Sequence, residues 1–267
     1  MFITRFLLVL LLLLTTLTPS LAGAEERLRL ATTTSTENSG LLAELLPPFE
    51  KANDCKVDVI AVGTGKALKL GEAGDVDVVM VHARSLEDAF VASGYGVERK
   101  DVMYNDFVLL GPAADPAGAR GSADVAEAMQ KIAAAAAIFV SRGDQSGTHS
   151  KEKELWQATG AAPAGDWYLE AGRGMGEVIT MATERKGYTL SDRGTWIAFA
   201  DKSDLQIVSE GDKRLFNPYG VIMVNPQRHP HVKQKLAQSF IDYLLSGEGQ
   251  AVIAGFKKNG KNLFFTY

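Results

Sequence analysis

Short apolar runs alternate with amphipathic stretches along this chain, and turns rich in glycine and hydroxyl residues separate them. Leu28–Ala31 reads as a strand and Thr32–Gly40 as a polar turn. Leu41–Leu46 starts a helix running toward Lys51, with Pro47 and Pro48 expected to restart or kink it. Val57, Val59 and Ala61 alternate with polar residues over Lys56–Ala61, the period of a strand. Val62–Gly65 then reads as a tight turn, Lys66–Leu70 as the start of a helix, and Asp77–Val81 as a buried strand. Ser85–Val91 is helical in pattern, with Ser85 as the expected N-cap. This alternation predicts an α/β fold with parallel sheets and helical crossovers.

The second half continues in the same style. Asn105–Pro112 is an apolar strand ended by Gly-Pro, and Ser122–Glu127 a capped helix start. Ala133–Ala137 reads as a helix end or loop, and the run to Val140 as a buried strand. A polar turn, Ser141–His149, leads into the helical stretch Lys151–Trp156. Gly172–Glu177 opens a helix through Arg185, Tyr188–Leu190 is a short strand, and Ser191-Asp192 caps the next turn. Tyr219–Val224 is a second long apolar strand, and helices over His229–Leu245 and Gly247–Phe256 close the chain. No internal repeat or low-complexity linker interrupts this order.

The first residues assign a compartment. Met1–Arg5 carries one positive charge, Phe6–Leu14 is an apolar core short for a membrane span, and Ala22-Gly23-Ala24 fits a cleavage site. The expectation is a signal peptide over residues 1–24 and a free periplasmic protein. There is no cysteine at the cleavage site to carry a lipid, and Cys55, the only cysteine, has no disulfide partner. Net charge is −4 and no basic stripe is present, which argues against nucleic acid.

Three turns share one design, a strand followed by small hydroxyl and glycine residues and then a helix: Thr32–Ser35, Gly63–Lys66 and Ser141–Thr148. Helix starts offer free N–H groups and a positive dipole end, and ligands of open α/β sheets bind beyond the strands' carboxyl ends. Arg142 adds a permanent charge and a planar fork suited to paired oxygens. Hydrogen bonds to a charged group are worth roughly 1.5–3 kcal/mol each, so a handful converging on one anion holds it with few cations. His82 ends the buried strand at the edge where such a cleft would lie. Arg173 and Arg193 stand in turns where a second charge or a surface ion pair is possible.

Enzyme chemistry finds little support. Gly63-Thr64-Gly65-Lys66 lacks the spacing of a phosphate loop, and Ala67 stands where its magnesium hydroxyl belongs. There is no Gly-x-Ser-x-Gly elbow, and no spacing links Ser35, His149 and Asp144 into a triad. His229 and His231 lack partners at metal spacing and read as an exposed helix start. Trp156, Trp167 and Trp196 read as packing residues.

At these residues the chain resembles the periplasmic tungstate-binding proteins, the solute receptors of tungstate ABC transporters. The motifs are Ala31-Thr32-Thr33-Thr34-Ser35, Val62-Gly63-Thr64-Gly65, Asp77–His82 and Ser141–His149, and the likeness covers essentially the whole mature chain. The resemblance implies a two-lobed type II periplasmic-binding-protein fold with two hinge crossovers, near Leu109 and before Val221. Lobe 1 is then 25–110 plus 217–267, and lobe 2 is 111–216. It implies an oxyanion, tungstate or molybdate, bound by Thr33, Thr34, Ser35, Thr64, His82, Arg142, Ser146, Gly147 and Thr148. No cofactor is implied, no side chain ligates the metal directly, and the partner is an ABC permease with its ATPase served by a monomer. The Arg142 loop also resembles that of phosphate receptors, which makes a phosphate or sulfate receptor the nearest alternative; an exported α/β hydrolase is the remote one. Where a phosphate receptor places a carboxylate to accept the proton of hydrogen phosphate, this chain has His82, expected to act as a protonated donor to an unprotonated dianion.

Overall fold

A computed structural model of the protein describes residues 25–267; the signal peptide expected over 1–24 lies outside them. The chain begins β1 (Glu26–Thr33), α1 (Thr34–Ser39), α2 (Leu41–Asn53), β2 (Cys55–Val62), α3 (Thr64–Ala73), β3 (Val78–Val81), α4 (Arg84–Ala92) and β4 (Gly96–Pro112). Next come α5 (Val125–Ala134), β5 (Phe139–Ser141), α6 (Gly147–Thr159), β6 (Tyr168–Glu170), α7 (Met175–Arg185), β7 (Thr189–Asp192) and α8 (Arg193–Phe199). β8 (Leu205–Ser209), β9 (Phe216–Val224), α9 (Gln234–Leu245) and α10 (Gly247–Gly255) follow.

The main sheet runs β2-β1-β3-β9-β4-β7, with β8 also paired to β4. β1 is parallel to β2 and β3, as the alternation predicts, but β9 is antiparallel to β3 and β4, and β7 and β8 are antiparallel to β4. The sheet is therefore mixed, not parallel throughout. The cause is the pair of long strands. β4 pairs with β9 over Gly96–Asp106, then with β7 from Phe107 and with β8 from Leu109. β5 and β6 form a separate parallel pair.

Strand alternation sorts the apolar side chains onto two faces. Leu28, Leu30, Val78, Met80, Val221 and Met223 enter one cluster, while Ala31, Val79, Val81, Ile222 and Val224 enter another. Farther along β4, Phe107 and Leu109 join a third cluster and Val108 and Leu110 a fourth. The clusters thus form two pairs, one on each stretch of β4.

Local differences from the sequence reading have identifiable causes. Thr34–Ser39 is a short helix, not a turn: the Thr36 N–H donates to Thr33 Oγ1 at 3.2 Å, and Gly40 at φ +88° ends it. α2 continues through both prolines. A proline inside a helix costs about 3 kcal/mol, but five side chains, Leu41, Leu42, Leu45, Leu46 and Phe49, are buried there at roughly 1.5–3 kcal/mol each. The carbonyls the prolines leave unpaired, those of Ala43 and Glu44, belong to exposed residues. α4 starts at Arg84 with no side-chain cap from Ser85; Glu87 Oε1 instead accepts the Ala83 N–H at 2.6 Å. β4 begins nine residues earlier than the apolar run. Its first half carries Glu98, Arg99, Lys100 and Asp101; the Arg99 side chain, 6% exposed, lies against Glu87, whose Oε2 accepts its Nε at 2.5 Å. His229 and His231 precede α9 and bond the carbonyls of Glu72 and Gly74.

The Arg214 side chain hydrogen-bonded to Asp212 holds that carboxyl far below the usual carboxylate range, and Asp212 Oδ2 also accepts the Val125 N–H at the start of α5. A lowered folded-state pKa stabilises above the unfolded value and is lost as pH falls through the folded one. Asp212→Asn is expected to cost about 1–2 kcal/mol at pH 7, with the difference from the parent shrinking below about pH 4. Thermal unfolding across pH measures it; a difference that persists unchanged at pH 2 contradicts the assignment.

Candidate oxyanion-binding site

All nine residues expected at the site line one small cavity, together with Val62 and Gly63. Four strand ends deliver them. β1 ends in Thr33, whose Oγ1 lies 3.0 Å from Ser35 Oγ. Thr32 points elsewhere, donating to the Met80 carbonyl at 2.7 Å. β2 ends at the N-terminus of α3, where the N-cap Gly63 supplies no side-chain acceptor, so the first-turn N–H groups stay free. Thr64 follows, fully buried, with an Oγ1 that has no hydrogen-bond partner. Such an orphaned polar atom costs about 1–3 kcal/mol unless something fills the need. β3 delivers His82.

The fourth edge comes from β5 through the Arg142 loop. Ser141 Oγ donates to Glu152 at 2.8 Å and accepts the Gly143 N–H at 3.2 Å. Glu152 is buried, also receives Tyr168 Oη at 2.6 Å and Trp156 Nε1 at 3.2 Å, and is pushed above the usual carboxylate range by burial. The buried Arg142 donates through Nε and Nη2 to Asp144 Oδ2, while Asp144 Oδ1 accepts the Ser146 N–H at 3.1 Å. Ser146 caps α6 by accepting the His149 N–H at 3.2 Å. The N-termini of α3 and α6 thus open on one cavity with hydroxyls and one guanidinium between them, and no carboxylate lines it. That donor set suits an anion that offers only acceptors.

The two walls are close. A Cβ on Gly147 would lie 2.9 Å from His82 Cε1 and 3.1 Å from the His82 carbonyl, and one on Gly65 would lie 3.5 Å from the Gln145 carbonyl. Gly143, at φ +59°, turns the loop where a side chain would strike Glu170.

A model of the PBP superfamily domain matches residues 20–248. The tungstate-binding protein TupA of Peptoclostridium acidaminophilum is 48% identical over 239 residues, covering 88% of this chain and 84% of the relative. The solved structure of the tungstate ABC transporter from Geobacter sulfurreducens is 62% identical, with 88% of this chain and 100% of that one covered and a TM-score of 0.80. The chain belongs to the tungstate-binding proteins of the PBP superfamily. Another solved member, the tungstate-binding protein TupA of Desulfovibrio alaskensis G20, is 49% identical, covers 91% of this chain and 99% of its own, and superposes with a TM-score of 0.79.

Within this family frame, His82 stands at the cavity wall, where the sequence expectation of a protonated donor meets a buried ring. Its ring is buried, stacks on Tyr219 at 4.6 Å, and has both nitrogens engaged, Nε2 with Ser35 Oγ at 3.2 Å and Nδ1 with Asn217 Oδ1 at 3.0 Å. Burial, the largest influence, pushes the imidazole below its ordinary range, with Asp192 pulling the other way. Arg193 is spent on Asp106 and Glu210, and Arg173 is exposed. The remaining enzyme-like groups also stay apart. His149 Nδ1 accepts the Gln145 N–H, Asp144 holds Arg142, and Lys66 lines a separate open groove of about 470 Å³ instead of the cavity. Sequence reasoning missed Asp144, Glu152, Asn105 and Asn217. The one available signal was an Asn at the start of the apolar half of β4 and another at the second position of β9.

Proposed function

We infer that the protein is the tungstate-binding component of an ABC transporter, and that it holds the oxyanion in the cavity between the α3 and α6 N-termini. The observation that carries this reading is the carboxylate-free lining with its orphaned Thr64 hydroxyl and single guanidinium. An unprotonated dianion gains a donor at each oxygen there, whereas hydrogen phosphate brings a proton that needs an acceptor. Molybdate, alike in charge and shape, is the second ligand. The binding role is that of a transporter component, not an enzyme.

The finer architecture proposed is two lobes, 25–110 with 217–267 and 111–216, hinged where β4 and β9 cross between them. The pairing of the four apolar clusters supports this division. So does the close approach of the two walls, at Gly147 against His82 and at Gly65 near Gln145. The compartment proposed is the periplasm; no helix among the described residues is long and apolar enough to cross a membrane.

Calorimetry with tungstate, molybdate, phosphate and sulfate tests the ligand. One tungstate per chain is expected, and binding of phosphate but of neither metal oxyanion overturns the reading. At a hundred times Kd, tungstate should add about 2.7 kcal/mol, a rise of roughly 5–10 °C in midpoint. Solution scattering should show a smaller radius of gyration with tungstate, because only the closed form brings Thr33, Thr34, Ser35 and Thr64 to the same anion as Arg142, Ser146 and Thr148. An unchanged radius contradicts the hinge.

A further inference from the structure

A chain of side chains leads from the two long strands into the cavity. Asn105 on β4 and Asn217 on β9 are opposite one another in the sheet, where β4 is about to leave β9 for β7. Both are buried and joined at 2.7 Å through Asn217 Nδ2 and Asn105 Oδ1. Asn217 then meets His82 Nδ1, and His82 Nε2 meets Ser35 Oγ at the cavity wall. One atom is out of order: Asn105 Nδ2 is buried and has no partner.

The donor sense of this chain decides what Ser35 presents. With Asn217 Oδ1 toward the ring, His82 carries its proton on Nδ1, Nε2 accepts from the Ser35 hydroxyl, and Ser35 offers lone pairs to the cavity. An amide turned by 180° exchanges its oxygen and nitrogen with no change of shape. Turn both, and every link reverses. Asn105 Nδ2 donates to Asn217 Oδ1, Asn217 Nδ2 to His82 Nδ1, His82 Nε2–H to Ser35 Oγ, and the Ser35 hydroxyl proton is left for an anion in the cavity or for Thr33 Oγ1, 3.0 Å away. The Asn105 oxygen then faces the Tyr219 hydroxyl, which lies beside both amides and can donate to it. The reversed chain leaves no buried donor unpaired, and a buried unpaired donor is the costly condition. His82 stays neutral in either sense, in keeping with its burial.

We propose that Asn105 and Asn217 are positioning residues that fix His82 as the neutral Nε2–H tautomer and thereby make Ser35 an obligatory donor to the oxyanion. The chain is a specificity device: an anion that needs an acceptor for its own proton finds none at Ser35. This rests on the oxyanion reading above, but the tautomer is measurable with or without ligand.

Nitrogen-15 NMR of the histidine rings in the mature protein, alone and with tungstate, reads the tautomer directly. A neutral His82 with a protonated Nε2 and an unprotonated Nδ1 is expected in both. A proton on Nδ1, or an imidazolium, overturns the proposal whatever the protein binds. Tungstate that fails to bind overturns the functional reading and leaves the tautomer result standing. Asn105→Asp supplies acceptors only, which turns Asn217 Nδ2 toward strand β4 and forces the His82 proton to Nδ1. Tungstate affinity should fall about ten- to a hundredfold, the worth of one hydrogen bond to a charged group, and the ring signals should switch. In a Ser35→Ala background the same change should cost no more than about twofold. An equal loss in both backgrounds means that the new charge acts directly and not through Ser35, and overturns the relay.

Discussion

Replacing Arg142 by alanine is expected to weaken tungstate binding by about a thousandfold. Arg142 is the single guanidinium on the cavity, it is buried, and its Nη1 has no protein acceptor among the described residues. Charge-assisted hydrogen bonds are worth roughly 1.5–3 kcal/mol each, and a fork facing an oxyanion makes two. The alanine variant also strips Asp144 of its partner and leaves a carboxylate near a dianion. Arg142→Lys keeps the charge without the fork and should lose only about tenfold. Arg193→Ala serves as the control, since Arg193 is held by Asp106 at 2.5 Å and Glu210 at 2.7 Å, and should change affinity by less than about twofold. Calorimetric titration of the three variants decides; parental affinity in both Arg142 variants would reduce that residue to a structural role.

Gly147→Ala should cost about a hundredfold in affinity while leaving the ligand-free protein nearly as stable as the parent. The added Cβ would come within 2.9 Å of His82 Cε1, 3.0 Å of Nδ1 and 3.1 Å of the His82 carbonyl oxygen. The ring is pinned by Ser35 and Asn217, and the carbonyl is backbone, so neither gives way easily. With the hinge proposed above, the clash arises only as the α6 N-terminus approaches β3, so it would penalise the closed arrangement and spare an open one. Gly174→Ala is the matched comparison at another helix start, where the new Cβ would meet nothing nearer than Glu177 Oε2 at 3.7 Å. A Gly147→Ala protein that binds normally would mean that the walls need not come this close. One that unfolds without ligand would mean that the contact belongs to the basic fold.

The sequence by itself determined what is local. Short apolar runs placed β1, β3 and the apolar half of β4 in buried sheet, and two-residue alternation marked β2, because both signals are written in adjacent positions. Asp192 was legible as a cap because a capping side chain reaches only three residues ahead. The three strand-to-helix turns followed from the same short-range rules; the resemblance assigned ligand groups to them and to His82 at the end of β3. Tertiary structure alone decided the rest. The charged half of β4 carried no strand signal in the sequence; it joins the sheet where Glu87, twelve positions earlier, pairs with Arg99. The mixed sheet depends on β9 inserting between β3 and β4, a pairing across more than a hundred residues that no local pattern encodes. His82 was legible as the residue after β3, but its burial, which pushes the imidazole down, and its contact with Asn217, 135 residues away, were not. Side-chain chemistry in a site depends on which groups the fold brings within 3 Å. That proximity is a property of packing, and periodicity in the chain carries no record of it.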